Sequence, residues 1–161
     1  MFRRVRVCDF EKGLLIREGR LIRLLDPGVH WVRGEVIAVD VRRRDTEVDA
    51  APVQTRDLVP VGIRLQVSYR VADPVATIFR SYYYRTHLAN DAAASVHRSV
   101  SLVPMSDLAA EHNRLEGEIR DRLSLETASY GLRVEDVAIV QIRFPRAIRR
   151  KLKRMEVPAL V

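Results

Sequence analysis

Alternation of apolar and polar residues dominates the first half of the chain. The longest such run places apolar side chains at seven alternate positions, Val59, Val61, Ile63, Leu65, Val67, Tyr69 and Val71. A period of two predicts a β-strand with one face in a core and the other in water. Burial of these side chains is worth on the order of 10 kcal/mol before the cost of ordering the chain is subtracted. Because parallel sheets are covered on both faces, the pattern favours an antiparallel sheet.

Shorter alternating segments come before this strand, near Val5, Leu14 and Ile37. The sequence DPG at residues 26–28 lies between two of them and predicts a tight turn, since proline presets φ and glycine accepts a positive φ. Pro60 has no N–H to donate to a sheet, so we expect it at the start or the edge of the long strand.

Helical signals replace the alternation after the long strand. Asp73 and Pro74 are suited to be the N-cap and the first residue of a helix, and they predict helices over residues 74–83 and 85–102. The run of three tyrosines at 82–84 is interpreted as one buried ring plus packing at a helix end, and not as a base-stacking surface.

A third long helix is predicted before the chain returns to the sheet. Asn113 and Glu116 have capping-box spacing, and Gly131 fits the end of the helix. A last strand follows over residues 134–144. The pattern therefore predicts an α+β fold in which an antiparallel sheet, formed mainly by the N-terminal half, packs with several helices.

A basic tail follows Pro145, where we place the one domain boundary: a domain at residues 1–145 and a basic amphipathic helix at 146–161. Ile148, Leu152 and Met155 share one helical face. The candidate binding residues are this stripe and the cations on the remaining face, Arg146, Arg149, Arg150, Lys151, Lys153 and Arg154.

The charge of the whole chain is concentrated in this tail. The net charge is +7, and residues 143–154 alone carry seven cations and no acidic residue, so the rest of the chain is neutral. Three interpretations remain open: the stripe docks on its own domain or on a neighbouring subunit, the helix lies on an anionic membrane surface, or the tail binds nucleic acid.

The sequence offers no catalytic set. One cysteine excludes an intrachain disulfide and a CxxC zinc site, the four histidines lack metal-ligand spacing, and no glycine-rich phosphate motif occurs. Asp91, Ser95 and His97 are close in sequence, but Ser95 and His97 point about 200° apart on a helix. We therefore predict no enzyme, no cofactor and no metal. The 47% hydrophobic content suits one globular domain, and no apolar run approaches the length of a membrane span.

Four short motifs occur in an order that resembles one known family. They are EKGLLIREGR at residues 11–20, PGVHW at 27–31, VQTRD at 53–57 followed by YRVADP at 69–74, and TASYGLRV at 127–134. Together they span most of the chain, from Val5 to Phe144, and they resemble the SPFH domain, also called band 7, in its stomatin or slipin branch. Each motif alone has low specificity for this family. Four of them in this order, on a matching pattern of strands and helices, are much more specific for it.

The resemblance implies a scaffold and not an enzyme. Members of the family assemble into membrane-attached rings or cages and organise or modulate neighbouring membrane proteins, and bacterial slipins typically associate with an NfeD-type membrane partner. By resemblance we expect a strongly curved SPFH-like sheet, a homo-oligomer, and contact with an anionic membrane surface or a membrane protein. We also expect a cytoplasmic location at the inner face of a membrane, without a transmembrane segment in this chain.

Several positions depart from the family pattern. Tyr130 stands where the family has tryptophan, Ala138 where it has glutamate, and residues 32–35 replace a short apolar stretch. The sequence also lacks the membrane hairpin and the long coiled coil that family members usually carry. We therefore expect assembly to depend on contacts of the domain and on the short tail.

Overall fold

A computed structural model describes residues 1–154 of the chain. The strands are β1 (Arg3–Val7), β2 (Glu11–Arg17), β3 (Arg20–Leu25), β4 (Gly28–Val32), β5 (Glu35–Asp40), β6 (Arg44–Gln54), β7 (Pro60–Val71) and β8 (Leu132–Arg143). The α-helices are α1 (Pro74–Arg80), α2 (Tyr84–Val100), α3 (His112–Ala128) and α4 (Arg146–Arg154), and a 3-10 turn spans Met105–Asp107. The predicted α+β class with antiparallel pairing is confirmed.

The strands are divided among three antiparallel sheets, and not joined in the one sheet that was predicted. Their orders are β1–β4, β3–β2–β5 and β6–β7–β8. We call β1–β5 the N-terminal β region, and β6–β8 with α1–α3 the helical body. The division has a physical cause: Asp26, Pro27 and Gly28 turn the chain away from β3, so that β4 pairs with β1 instead.

The helical body is built on β7, whose pattern the sequence predicted. The alternate side chains from Val61 to Val71 are buried, and β7 begins at Pro60 as expected. The late strand β8 returns to pair with β7 over ten residue positions from Gly62 to Val71. Helix α2 lies against β6 and α3 against β8, and the two helices pack on each other. One large core therefore lies between this sheet and the helices.

The N-terminal β region has a second, smaller core. Val7, Leu15, Leu25 and Val32 are buried together where the β1–β4 sheet packs on the β3–β2–β5 sheet. Leu14, the neighbour of Leu15, points to the opposite face of β2 and joins the large core. Strand β2 therefore connects the two cores through successive side chains.

The first helix ends earlier than predicted, at Arg80 and not at residue 83. Asp73 is its N-cap, as expected, and its carboxylate accepts a hydrogen bond from the Ala76 N–H at 3.1 Å. The Ser81 N–H closes the last turn on Thr77 O, and the chain then leaves the helix. The prediction of one buried tyrosine is wrong, because Tyr82 and Tyr83 are exposed and Tyr84 is only half-buried.

The predicted capping box of α3 is also wrong. The helix begins at His112, and its N-cap, Glu111, makes no side-chain cap hydrogen bond. Glu116 is used elsewhere: its Oε1 accepts a hydrogen bond from the Ile139 N–H at 2.8 Å. The carboxylate therefore joins α3 to β8 instead of satisfying the helix terminus. Gly131 does end the helical segment, with a positive φ of 79°.

Candidate functional site

The basic tail forms a helix that begins at Arg146, directly after Pro145. Its cations, Arg146, Arg149, Arg150, Lys151, Lys153 and Arg154, are all exposed. No acidic residue lies between Arg143 and Arg154 to neutralise them. The helix therefore presents a surface of one sign, which is the arrangement that an anionic partner requires.

The start of α4 is attached to the helical body. Ile148 packs partly buried against the large core, and Arg149 Nε donates a hydrogen bond to Phe144 O at 2.9 Å. Leu152 lies within α4, and Met155 lies outside the described residues. At least the first residue of the predicted apolar stripe thus contacts its own domain. The boundary between domain and tail stays a prediction.

A second exposed surface, which the sequence analysis did not identify, lies on the β1–β4 sheet. Val29 and Trp31 are 50% and 67% exposed and share one face of β4. Their register partners on β1 are Arg6 and Arg4. We call this set of four residues the Arg–Trp ribbon. The alternation of Val29 and Trp31 in the PGVHW motif was the sequence signal for this surface. Alternation alone, however, does not show which face of a strand stays exposed to water.

The apolar surface extends to β3, the edge strand of the neighbouring sheet. Ile22 and Leu24 are each 48% exposed, and Leu21 is also exposed. An edge strand with exposed apolar side chains is a common site of association, because its unpaired backbone groups accept a further strand. The N-terminal β region therefore exposes both apolar side chains and unpaired backbone N–H and C=O groups.

A serine, a histidine and a carboxylate do meet in the structure, and of the three residues considered from the sequence only Asp91 is among them. Ser81 Oγ lies 3.0 Å from His87 Nδ1, and His87 Nε2 lies 3.6 Å from Asp91 Oδ2. The Tyr130 hydroxyl donates to the same carboxylate oxygen at 2.7 Å, and its ring stacks on His87 at 4.3 Å. The i, i+4 spacing of His87 and Asp91 was the signal for this pair.

The geometry of this cluster favours a structural role. The distance from His87 to Asp91 exceeds a normal hydrogen bond, and the Tyr130 hydroxyl already occupies the carboxylate that would orient the histidine. Burial, followed by the hydrogen bond to Asp91, raises the pKa of Tyr130. We interpret the cluster as a clamp that joins the turn after α1, helix α2 and the start of β8. Ser95, considered earlier as a nucleophile, is buried in α2.

The VQTRD motif also has a structural role. Thr55 Oγ1 donates to Asp57 Oδ1 at 2.5 Å, and the same oxygen accepts the Met105 N–H at 3.1 Å. The Thr55 hydroxyl, with the Met105 amide as a second donor, lowers the pKa of Asp57. The loop between β6 and β7 is thereby attached to the segment that follows α2.

Residues 1–154 provide neither a metal-binding cluster nor a membrane-spanning helix. In that part of the chain no group of three or more histidine, cysteine, aspartate or glutamate side chains is arranged to hold a metal ion. Of the helices described, none is long and apolar enough to cross a bilayer.

Comparison with known proteins gives one family across most of the chain. Residues 5–157 match the SPFH domain / Band 7 family. A stomatin homolog of Pyrococcus horikoshii is 22% identical, over 92% of this chain and 57% of its own length. Stomatin-3 of Caenorhabditis elegans is 26% identical, over 91% of this chain and 57% of its own.

A third relative carries a different name. Protein HflK of Vibrio cholerae is 26% identical, over 89% of this chain and 38% of its own length. The chain therefore spans a little over half the length of the two stomatin relatives and a smaller part of this one.

Proposed function

The chain belongs to the SPFH domain / Band 7 family, and from that premise we propose that it is a non-enzymatic scaffold domain. In this proposal the domain self-associates and holds protein partners at an anionic membrane surface. The family is generally one of membrane-associated scaffolds, of which the named stomatins are members. We assign the surfaces that would contact the membrane and the protein partners from the residues of this chain.

The observation that carries the proposal is the exposed cationic face of α4. Its six cations have no acidic neighbour along the helix, and the helix is attached to the body through Ile148. Each lysine or arginine near an anionic bilayer contributes about 1 kcal/mol. Several together hold a domain loosely, and self-association strengthens the attachment because many copies bind at once.

The Arg–Trp ribbon supports the same proposal from the other end of the chain. Tryptophan favours the boundary between lipid and water because its ring is apolar and its N–H is polar. Trp31 is flanked across the strand by Arg4, whose charge suits anionic headgroups. The ribbon adds an apolar contact to the electrostatic one that the tail supplies.

The remaining parts of the proposal concern location and partners. We propose that the domain lies at the cytoplasmic face of a membrane and acts on a membrane protein, for which an NfeD-type protein is the leading candidate by family resemblance. Self-association is supported by the open edge of β3 and its exposed apolar side chains.

Flotation with lipid vesicles tests the membrane role. The double variant Lys153→Gln/Arg154→Gln should bind vesicles of phosphatidylcholine and phosphatidylserine about 30-fold more weakly than the unchanged chain, since about 2 kcal/mol of attraction is lost. Binding should also fall with added salt.

The matched control is Arg56→Gln/Arg133→Gln, which removes two exposed arginines of the body. The control should bind like the unchanged chain. Equal weakening of both variants would contradict a specific role of the tail. Steep salt-dependent binding to duplex DNA, with no binding to vesicles, would favour the nucleic-acid alternative.

The apolar stripe needs its own test. Replacing Ile148, Leu152 and Met155 together with serine should abolish docking or assembly, and the charged face alone should not restore it. Sedimentation and flotation measure the two properties. An unchanged oligomer size and unchanged vesicle affinity would show that the stripe takes no part.

A further inference from the structure

A groove of about 740 Å³ separates the N-terminal β region from the start of α2. Strand β5 forms one side of it, through the four consecutive residues Ile37, Ala38, Val39 and Asp40. Tyr82, Tyr83, Tyr84, Arg85 and Thr86, which connect α1 to α2 and begin α2, form the other side. Side chains of consecutive strand residues point to opposite faces, so a groove that all four line lies along the edge of the strand.

The edge of β5 at this groove is open. Strand β5 is the last strand of the β3–β2–β5 sheet, and within residues 1–154 it pairs with β2 alone. The register that pairs Glu11 with Asp40 places Val41 opposite Phe10, and the Val41 N–H donates a hydrogen bond to Phe10 O at 3.0 Å. Phe10 and Val41 are therefore a hydrogen-bonded pair. Hydrogen-bonded pairs alternate with non-bonded pairs in an antiparallel ladder. Val36, Ala38 and Asp40 therefore direct their backbone N–H and C=O groups away from β2, and Ala38 and Asp40 line the groove.

The side chains around the edge are aromatic and cationic. The Arg42 guanidinium lies 3.9 Å above the centre of the Phe10 ring. Arg42 and Arg44 both contact the Asp40 carboxylate, and the hydrogen bond from Arg42 is the main reason that the pKa of Asp40 is lowered.

Arg85 lies on the α2 side of the groove. Its side chain is exposed, and among the described residues it has no ion pair. Its guanidinium lies 5.9 Å from the centre of the Tyr84 ring, and the Tyr84 side chain is the main reason that the pKa of Arg85 is raised, with Asp40 contributing less. The groove thus contains three arginines and the two carboxylates of Glu11 and Asp40, and Arg42 and Arg44 already pair with Asp40. Its net charge is therefore +1, which leaves Arg85 as the arginine open to an acidic partner.

We propose that this groove binds an extended, acidic segment of a partner protein, which pairs with β5 as an added strand. The open backbone groups at Val36, Ala38 and Asp40 supply the main-chain hydrogen bonds, as in other complexes in which a peptide extends a sheet. Arg85 pairs with an acidic side chain of the segment, and Tyr82 and Tyr83 cover its apolar side chains. The inference extends the proposed function by giving the scaffold a surface for a protein partner.

Charge distinguishes this occupant from the alternatives. The chain's own tail is basic and would be repelled by Arg85. A second copy that offered its β5 edge would bring two sets of the same arginines together. In the acidic strand β6, Asp45 and Asp49 already pair with Arg43 and Arg143 of the same chain.

A blocked peptide of alternating glutamate and valine residues, as long as β5, is the probe for the experiment on the full chain. Fluorescence polarisation should detect binding to the unchanged protein in the absence of lipid. The same peptide with lysine in place of glutamate should bind at least tenfold more weakly. Amide exchange at Ala38 should slow when the glutamate peptide is present, because its N–H becomes hydrogen-bonded.

Two variants separate the backbone contribution from the charge contribution. Ala38→Pro removes one outward N–H and should weaken peptide binding at least tenfold. Proline is tolerated on a free strand edge, so the variant should still fold. The control, Ala38→Ser, keeps the N–H and should bind the peptide normally. Arg85→Glu changes an exposed side chain and should also weaken binding at least tenfold.

Three results would overturn the inference. They are the absence of protection at Ala38, equal affinity for the two peptides, or a loss of self-association in Ala38→Pro without peptide, which would assign the edge to a second copy. Because no lipid is present, a failure of vesicle binding leaves this result unaffected, and a failure of peptide binding leaves the membrane proposal unaffected.

Discussion

The helical body and the N-terminal β region use the same alternation of apolar and polar residues, but only the body buries its long apolar strand face in full. In the body, α2 and α3 bury the apolar face of β7 completely, for example at Ile63 and Leu65. In the N-terminal β region, Ile22 and Leu24 of β3 are each 48% exposed to water. The alternation therefore determines that a strand has an apolar face, and the packing of other elements determines whether that face becomes core or surface.

The two regions also differ in what their residues can do. The smaller core of the N-terminal β region, around Leu15 and Val32, joins two sheets, and exposed surface remains on the Trp31 face of β4 and along β3. Regions with few buried apolar contacts open more easily than the main core. We therefore assign stability mainly to the helical body, and the proposed association would involve mainly the N-terminal β region and the tail.

The largest effect should follow from a cavity in the body. Leu65→Ala should lower the free energy of unfolding by about 3–4 kcal/mol, because Leu65 is fully buried and its neighbours cannot fill the space. Urea unfolding followed by circular dichroism measures this change. A loss below about 1 kcal/mol would show that the body is not the main source of stability.

A smaller but still large effect is expected at the turn into β8. In Gly131→Ala the new Cβ would meet Asp73 O and lie 2.7 Å from Thr77 Oγ1, at a positive φ. The expected loss is about 2–3 kcal/mol in thermal or urea unfolding. Gly117→Ala is the matched control: no atom lies within 4 Å of its new Cβ, and alanine favours the helix, so stability should rise slightly.

The clamp around Tyr130 should contribute less. Tyr130→Phe should cost about 1 kcal/mol at neutral pH, because the hydrogen bond to Asp91 is lost. Burial raises the Tyr130 pKa above its unfolded value near 10, so its contribution is complete below that pH and decreases as the pH rises further. Unfolding at neutral and alkaline pH should show a smaller alkaline loss in the variant, and an equal loss would contradict this role.

The smallest effect on stability should come from the exposed strand β3. Leu24→Thr should change the free energy of unfolding by less than about 0.5 kcal/mol, because the side chain is half in water and threonine suits a strand. Self-association, measured by sedimentation, should nevertheless weaken. A stability loss as large as that of Leu65→Ala would abolish the contrast between the two regions.

Local signals were interpreted correctly where neighbouring residues decide the structure. Asp73 and Pro74 start α1, Pro60 starts β7, and Gly131 ends a helical segment, because caps, φ restrictions and turns act within a few residues. The same approach failed at Glu116, whose carboxylate found a distant backbone N–H at Ile139, and at the tyrosines, which sequence spacing could not place.

The sequence by itself determined the strands, the main helices, the basic tail and the family motifs, since these depend on short-range periodicity and composition. The tertiary structure alone decided which apolar faces are covered, how the strands divide among three sheets, and where edges stay open. The groove beside β5 illustrates the reason: Phe10, Asp40 and Arg85 are distant along the chain and come together only when the N-terminal β region packs beside α2. Such neighbours follow from the packing of whole elements, which no local pattern encodes.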